Sequence, residues 1–326
     1  MIHSLSQKRP WNTLLVLLYF VLTQGYAISH THAAIVSSTD GVLYQQFLKL
    51  IAYNTVRGQV YSTIIGMGII IYQCYMLTSI VNKLKLYSSY TYVPAVCYLL
   101  CISIYPYYNT LNPSLIINAI MLIVIHALTQ LQNTQAPKTI LFNVGIYLGI
   151  AYMIHPFGIL LSILVVFSIL LYRAFQLKDY ILLLLGILLP LYIIYALQYI
   201  STGSIVNFSA IVPVMHIPYY SLPSPILITV SLLVSSSIMG MYNVQLYSSK
   251  MNIQARKAWG IWFIYTINAL LVVLLYNIHS AQGALVAMPL SLFVAASLHY
   301  IKSKLIKNIL HYMLLALVLY CVYTLH

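Results

Sequence analysis

The sequence of 326 residues contains no glutamate, and its only acidic residues are Asp40 and Asp179. Charged residues of both signs make up 5% of the chain, whereas 62% of it is hydrophobic. A chain this apolar has too little polar surface to dissolve as a globule, so lipid must act as its solvent. The scarcity of carboxylates also excludes mechanisms that need a pair of them, which removes much hydrolytic chemistry.

Cysteine is scarce too, and the motifs of several soluble enzyme classes are missing. The chain has no Walker loop, GxSxG elbow, HExxH helix or CxxC pair, so nothing supports nucleotide hydrolysis, a serine hydrolase or a zinc protease. All four cysteines fall inside apolar runs, where a thiol usually behaves as a small hydrophobic group: Cys74, Cys97, Cys101 and Cys321.

What the sequence does contain is a series of long apolar runs. Runs of about 16 to 22 residues suit a hydrocarbon core about 30 Å thick, and they are apolar nearly all round, which favours helices over barrel strands. The sequence therefore predicts an all-α, polytopic transmembrane helical bundle of about 11 spans. The predicted spans are 11–29, 59–80, 90–106, 114–130, 139–154, 157–172, 180–200, 223–242, 258–277, 284–300 and 308–325.

Basic residues mark the sidedness of these spans. Thirteen of the fifteen Lys and Arg residues fall in every second gap, and only Lys49 and Arg57 fall in the others. The positive-inside rule assigns the richer gaps to the cytoplasm, which predicts a membrane protein with its N-terminus in the cytoplasm and its C-terminus outside. The formal charge of +13 is spread over short segments rather than gathered in a groove, so we expect no nucleic-acid partner.

The chain divides into five predicted regions. Residues 1–29 are predicted to form an N-terminal helix, which is either a retained anchor or a cleaved signal. Residues 30–58 are predicted to form an outer loop with an amphipathic interfacial helix, and residues 59–200 form the transmembrane core. Residues 201–222 form a second outer loop rich in proline, and 223–326 the C-terminal helices.

Polar and small residues inside the spans predict contacts between helices. Asn118, Asn143 and Asn268 must find hydrogen-bond partners in the bundle. The pairs Gly66 with Gly68 and Gly145 with Gly149 predict close helix approach.

Three local patterns resemble the polytopic GT-C-type membrane glycosyltransferases, which transfer sugars from lipid-linked donors. The first runs from Leu100-Cys-Ile-Ser-Ile-Tyr-Pro106 through Asn112-Pro113-Ser114 to Leu115-Ile-Ile-Asn118, and the second is Gly145-Ile-Tyr-Leu-Gly149 followed by His155-Pro156-Phe-Gly158. The third is the basic stop at Arg173 and Lys178, which matches the usual inner boundary. A closer resemblance, carried by Val93-Pro-Ala-Val-Cys-Tyr-Leu-Leu to Asn118 and by Phe175-Gln-Leu-Lys-Asp179, is to an uncharacterised bacterial inner-membrane family, a domain of unknown function.

The resemblance to GT-C enzymes implies a GT-C-like arrangement and candidate site residues. Asp40 takes the place of the catalytic Asp in the first outer loop, where it could act as a base or bind a divalent cation against a pyrophosphate. Lys49 and Arg57 could neutralise a lipid phosphate, and His155 would face the active cavity. The alternatives are that Asp40, with Thr39, caps the interfacial helix, and that His155 is an interfacial ring bonded to a turn.

No cofactor is certain from the sequence, and a divalent cation is expected only for a glycosyltransferase. His30, His32, His155, His216, His279 and His326 share the predicted outer side, but only the first two are close in sequence, so a metal site does not follow.

Three function classes stay open: a transferase of sugar from a polyprenyl-phosphate donor, a non-catalytic subunit of an envelope assembly, and a secondary transporter. The third is disfavoured because neither acid lies near a span midpoint. The expected partners are the lipid bilayer, a lipid-linked sugar and envelope-complex proteins.

Overall fold

A computed structural model of the chain describes residues 5, 11–29, 34, 36–37, 40–131, 136–203, 223–275 and 281–325. Over these ranges the regular structure is entirely helical, which confirms the all-α class. The longer helices are α1 (Trp11–Ser29), α2 (Val42–Leu50), α3 (Val56–Lys83), α4 (Val93–Ile102), α5 (Pro113–Gln130), α6 (Pro137–Ile154), α7 (Leu161–Tyr172), α8 (Leu177–Thr202), α9 (Ser224–Tyr247), α10 (Ile253–Leu275), α11 (Ala284–Tyr300) and α12 (Lys304–Leu325).

Several of these helices suit a membrane. In the described part of the chain, seven are long and apolar enough to cross one: Val56–Lys83, Pro113–Gln130, Pro137–Ile154, Leu177–Ile200, Ser224–Lys250, Ile253–Leu275 and Lys304–Thr324. Three shorter apolar stretches are Val93–Ile102, Pro156–Tyr172 and Ala284–Tyr300. These helices are compatible with a membrane protein, while the count of about 11 spans stays a prediction.

The helix ends follow from local sequence. The Thr55 hydroxyl accepts a hydrogen bond from the Gly58 N–H (3.0 Å) and caps α3, and the Asn112 side chain accepts one from the Leu115 N–H (2.8 Å) and caps α5. The run predicted at 90–106 is shorter than expected, because α4 ends at Ile102 and Pro106 starts a separate one-turn helix.

The centre of the bundle is formed by α4 and α11, which pack against each other. Every residue of Val93–Ile102 is buried, and so are nearly all residues of Ala284–Tyr300. In contrast, α8 packs mainly on α6 and leaves most of its apolar surface uncovered. An apolar helix with so much exposed surface is the arrangement expected for a lipid-facing element.

Hydrogen bonds between side chains and helix backbones tie the interior together. The Asn118 amide donates to the Ala284 carbonyl (2.8 Å) and accepts from the Tyr265 hydroxyl (2.5 Å), while the Asn268 amide donates to the Leu160 carbonyl (2.9 Å). These contacts confirm two of the three predicted asparagine bridges. The third prediction was wrong, because Asn143 lies on the exposed side of α6.

Glycine sets the closest helix crossing at α6 and α8. A Cβ added to Gly145 would lie 2.4 Å from the Leu183 carbonyl oxygen, and one added to Gly186 would lie 2.4 Å from that of Phe142. Gly149 is similarly close to the Ile187 carbonyl oxygen, at 2.6 Å. The predicted close approach at Gly145 and Gly149 is therefore confirmed.

Of the other predicted pair, a Cβ added to Gly66 would lie 3.4 Å from both the Asn109 carbonyl oxygen and the Leu111 backbone nitrogen. A Cβ added to Gly68 would have no neighbouring atom within 4 Å. The prediction of close approach at Gly68 was wrong because this residue lies on the exposed side of α3.

Helix ends gather into two opposite groups. Asp40, His155 and Gln282 meet at the end where α2 and α11 begin and α6 finishes. The turns after α3, α9 and α11 meet at the other end and surround one cavity. Basic residues of three predicted cytoplasmic gaps therefore share one end of the bundle.

The glycine crossing gives a first prediction. Gly186→Ala should lower the thermal unfolding midpoint of the detergent-purified protein, because the added methyl group would clash with backbone atoms of α6, which cannot move aside as a side chain can. Such overpacking lowers the free energy of unfolding by about 1–3 kcal/mol. Gly68→Ala is the matched control in another apolar helix, and it should leave the midpoint unchanged or slightly raised. Equal midpoints for the two variants would contradict the crossing.

Sidedness gives a second prediction. All four native cysteines are buried and free, so the wild-type protein should resist a membrane-impermeable maleimide. Asn54 precedes α3 and Ser249 follows α9, and both are exposed. We expect Asn54→Cys to be labelled in intact spheroplasts and Ser249→Cys only after permeabilisation. The reverse pattern would invert the topology and move the proposed outer site to the cytoplasm.

Candidate functional site

Asp40 is held at the end of the bundle by a contact between distant parts of the chain. The backbone N–H of the next residue, Gly41, donates to the Ile154 carbonyl (2.9 Å) at the end of α6. A Cβ at Gly41 would lie 2.0 Å from the Met153 carbonyl oxygen, so only glycine permits this approach. The Asp40 side chain is consequently placed against the turn that follows α6.

That turn presents His155. Helix α6 ends at Ile154, where His155 adopts an extended conformation (φ −155°, ψ 139°) and Pro156 follows, as expected for a residue that precedes proline. His155 Nε2 lies 3.9 Å from Asp40 Oδ1. The structure thus brings together two of the four predicted site residues.

The surroundings of the imidazole define its tautomer. The Phe157 N–H donates to His155 Nδ1 (3.3 Å), so a neutral ring carries its proton on Nε2. Nε2 faces Asp40, and the side-chain amide of Gln282 lies 3.4 Å from it. The amide satisfies a protonated Nε2 when it turns its oxygen toward the ring, an orientation that follows from the hydrogen-bond network.

Burial controls the charges of the pair. Asp40 is 7% exposed, and desolvation raises the pKa of its carboxyl from the usual 3.8 to about 6, against an opposing hydrogen bond from the Ser37 N–H. His155 is 1% exposed, and desolvation lowers its pKa to about 3. Burial thus disfavours charge on both groups: near neutral pH a carboxylate faces a neutral imidazole, so the contact is not a salt bridge.

Asp40 does not cap α2. The N-cap of this helix is Gly41, which makes no side-chain capping bond, while Asp40 Oδ2 accepts from the Ser37 N–H (2.6 Å) and the Gln45 amide donates to the Asp40 carbonyl (2.8 Å). The capping interpretation was wrong because the helix begins two residues after Asp40. Thr39, the other candidate cap, lies outside the described residues.

Lys49 and Arg57 are not joined to this pair. Both side chains are exposed. Within the described ranges the two acidic side chains contact His155 and Arg173, and neither Lys49 nor Arg57 lies within 4.0 Å of one. Lys49 lies in the last turn of α2, where a cation complements the helix dipole.

Sequence reasoning missed Gln282 and the backbone donors of Ser37 and Phe157. Gln282 is separated from His155 by 127 positions, and it carried no motif. Its one available signal is that it is polar and stands directly before the buried helix α11. The backbone donors had no side-chain signal at all.

The described donors do not fit a divalent cation held by the protein. In the described part of the chain no three His, Cys, Asp or Glu side chains come together, and the site offers one carboxylate and one imidazole. Mg²⁺ and Ca²⁺ prefer six or more oxygen ligands, so no step of the chemistry is assigned to such an ion. His30, His32, His216, His279 and His326 lie outside the described residues.

The comparisons place the chain in a family and supply no activity. A family model described as a family of unknown function, DUF6427, matches residues 34–326. The chain therefore belongs to that family. No curated protein and no solved structure matches the chain.

The buried carboxyl gives a third prediction. The folded-state pKa of Asp40 lies above its ordinary value, so its protonated form favours folding, and that stability is lost as the pH rises from about 4 to about 6. Asp40→Asn should therefore raise the thermal midpoint at pH 8 and leave it nearly unchanged at pH 3.5.

The other aspartate supplies a control. Asp179 Oδ2 lies 3.3 Å from Arg173 Nη1, so Asp179→Asn removes the partner of a cation and should not stabilise the protein at pH 8. A lower midpoint for Asp40→Asn at pH 8 would show that ionised Asp40 contributes more through its contacts than its desolvation costs.

Proposed function

We propose that the protein is a multi-pass inner-membrane enzyme that transfers a sugar from a polyprenyl-phosphate donor, with Asp40 as the general base. The observation that carries this proposal is the contact between the buried Asp40 carboxyl and the buried His155 imidazole at 3.9 Å, where desolvation raises the pKa of the carboxyl to about 6. A base with a pKa near the working pH combines a populated ionised form with useful basicity. The sequence resemblance to GT-C enzymes supports the same position for the catalytic acid residue.

The proposed reaction needs one proton acceptor. The Asp40 carboxylate takes the proton of an acceptor hydroxyl as that oxygen bonds to the anomeric carbon of the sugar. The bond between the sugar and the phosphate breaks, and the polyprenyl phosphate leaves with the electron pair. His155 is a positioning residue, since its Nε2–H faces Asp40 Oδ1 and Gln282.

Lys49 and Arg57 have a supporting role in this proposal. Their exposed cations lie on the segment that follows Asp40, where they can attract the phosphate of a lipid at the bilayer surface. Their effect should fall on substrate binding and should weaken with salt, because exposed charges are screened.

A second candidate is a non-catalytic subunit of an envelope assembly. The burial of both Asp40 and His155 favours it, because the pair then serves to join the start of α2 to the turn after α6. This function requires stable co-purification with partner proteins and tolerance of Asp40→Asn.

The fourth prediction separates the two candidates. Purified protein in liposomes is incubated with a panel of radiolabelled polyprenyl-phosphate hexoses and pentoses and with membrane glycan acceptors. Asp40→Asn should reduce transfer by about 10²- to 10⁴-fold, the usual contribution of a general base, while its level in the membrane stays normal. Transfer by the wild-type protein should rise with pH through about 6 as Asp40 ionises.

His155→Leu tests the positioning role. It should lower kcat and shift the pH profile, since the carboxyl loses the Nε2–H that faces it. Asp179→Asn is the control for loss of an acid elsewhere. Full transfer by Asp40→Asn would remove the catalytic proposal, and co-purification of partners with that variant would then support the subunit.

A further inference from the structure

The end of the bundle away from Asp40 contains a cavity of about 790 Å³. It is surrounded by the turns after α3, α9 and α11, represented among its lining residues by Lys85, Lys250 and Lys302. His155 and Gln282 lie where α11 begins, and Tyr300, which ends α11, lines the cavity. The 17 residues of this helix separate the two sites by roughly 25 Å at about 1.5 Å per residue.

The three lysines lack a nearby counter-charge from the protein. All three side chains are exposed. The only acids of the whole chain are Asp40, at the other end, and Asp179, which pairs with Arg173. A concave surface with three cations and no carboxylate has a positive potential and attracts anions.

The backbone that carries Lys85 is fixed rather than loose. Lys85 has a positive φ of 52°, and the Leu86 N–H donates to the Val81 carbonyl (3.0 Å), which closes the end of α3. The Trp259 indole N–H donates to the Leu86 carbonyl (3.3 Å). Across the turn, Asn82 Oδ1 accepts from the Thr91 N–H (2.9 Å). The cavity wall is thus organised before any ligand arrives.

The opposite wall is aromatic and polar. The rings of Tyr247 and Tyr300 stack with centroids 4.5 Å apart, and Lys250 Nζ lies 5.7 Å from the Tyr247 centroid. His299 Nε2 and Ser88 Oγ are 3.0 Å apart. Hydroxyls and ammonium groups of this kind are donors suited to phosphate oxygens.

An apolar groove adjoins the cavity. It has a volume of about 620 Å³ and lies between α1, α3 and α4. Tyr90 lines both spaces, and Ser79 of the groove lies one helical turn before Asn82 of the cavity. Residues such as Leu17, Phe20 and Ile71 form its walls. A cationic cavity beside an apolar groove matches the two halves of an anionic lipid.

We propose that this composite site binds a phosphate-bearing lipid, with its phosphate among Lys85, Lys250 and Lys302 and its acyl chain in the groove lined by Leu17, Phe20 and Ile71. The positive-inside rule assigns this end to the cytoplasm, where basic pockets between transmembrane helices take anionic headgroups. The lipid would hold α1 against α3 and α4. The proposal does not depend on Asp40 or on sugar transfer.

The test is lipid retention by the purified full-length protein, measured by native mass spectrometry. Dioleoyl phosphatidylglycerol is titrated against dioleoyl phosphatidylcholine, with glycerol phosphate and inorganic phosphate as competitors that lack a tail. The wild-type protein should prefer phosphatidylglycerol. The triple variant Lys85→Gln, Lys250→Gln, Lys302→Gln should bind it about 10- to 100-fold more weakly, as expected for the loss of three cations near a lipid surface.

A second triple variant controls for net charge. Lys138→Gln, Lys178→Gln, Lys304→Gln removes the same charge from exposed positions on the same predicted cytoplasmic side, outside the cavity lining. Its retention of phosphatidylglycerol should stay within about twofold of wild type. Thermal midpoints of lipid-free protein establish that both triple variants fold.

Two outcomes would overturn the site. Equal losses in the two triple variants would mean that the lipid responds only to total charge. Displacement of phosphatidylglycerol by glycerol phosphate or inorganic phosphate at equal concentration would mean that the groove contributes nothing and that the cavity takes a free phosphate instead. Loss of sugar transfer in any variant bears on the proposed function and leaves this inference unaffected.

Discussion

Hydrogen bonding without water is the constraint on which the whole structure depends. In hydrocarbon, backbone groups must be satisfied within helices, and polar side chains must bond to neighbouring helices. The bundle meets this requirement around its two most buried helices, α4 and α11. Asn118 links α5 to the start of α11 and to Tyr265 of α10, so one amide joins three helices. Where no polar group is present, glycine allows backbones to approach instead, as at the crossing of Gly145 and Gly186. Peripheral helices such as α8 then need only an apolar outer surface.

The Asp40–His155 pair likewise depends on a few specific hydrogen bonds. One backbone hydrogen bond, from Gly41 to Ile154, places a carboxyl against an imidazole that is already fixed through its Nδ1. Since burial raises one pKa and lowers the other, the pair contains an ionisable acid and a neutral donor rather than two charges. Such an arrangement suits the proposed proton transfer, and it equally suits a structural joint between α2 and α6. The two roles differ in whether a substrate can reach the Asp40 carboxyl.

Much of the fold could be predicted from the sequence, because run length and apolar composition report directly on helices in lipid. Both ends of α5, α6 and α11 were predicted within two residues, while α12 begins four residues before its predicted start and α4 is shorter than its apolar run because Pro106 interrupts it. For the site, the sequence indicated both Asp40 and His155, and the structure brings them together, while their roles stay predictions. The prediction that Asp40 caps α2 was wrong, because the helix begins two residues after it. The contact of Gln282 with His155 could not be predicted, because folding brings together two residues that are far apart in the sequence. The role of Lys49 and Arg57 in binding a lipid phosphate stays a prediction.

The clustering of basic turns at one end has an electrical consequence. A bacterial membrane is negative inside, and transfer of one elementary charge across 100 mV corresponds to about 2.3 kcal/mol. If a bundle in the predicted orientation were inverted, thirteen cations would move outward and two inward, while the two aspartates would exchange sides. The net displacement of eleven positive charges would require about 25 kcal/mol at 100 mV. In that orientation the membrane potential would favour insertion of the bundle and would oppose its inversion.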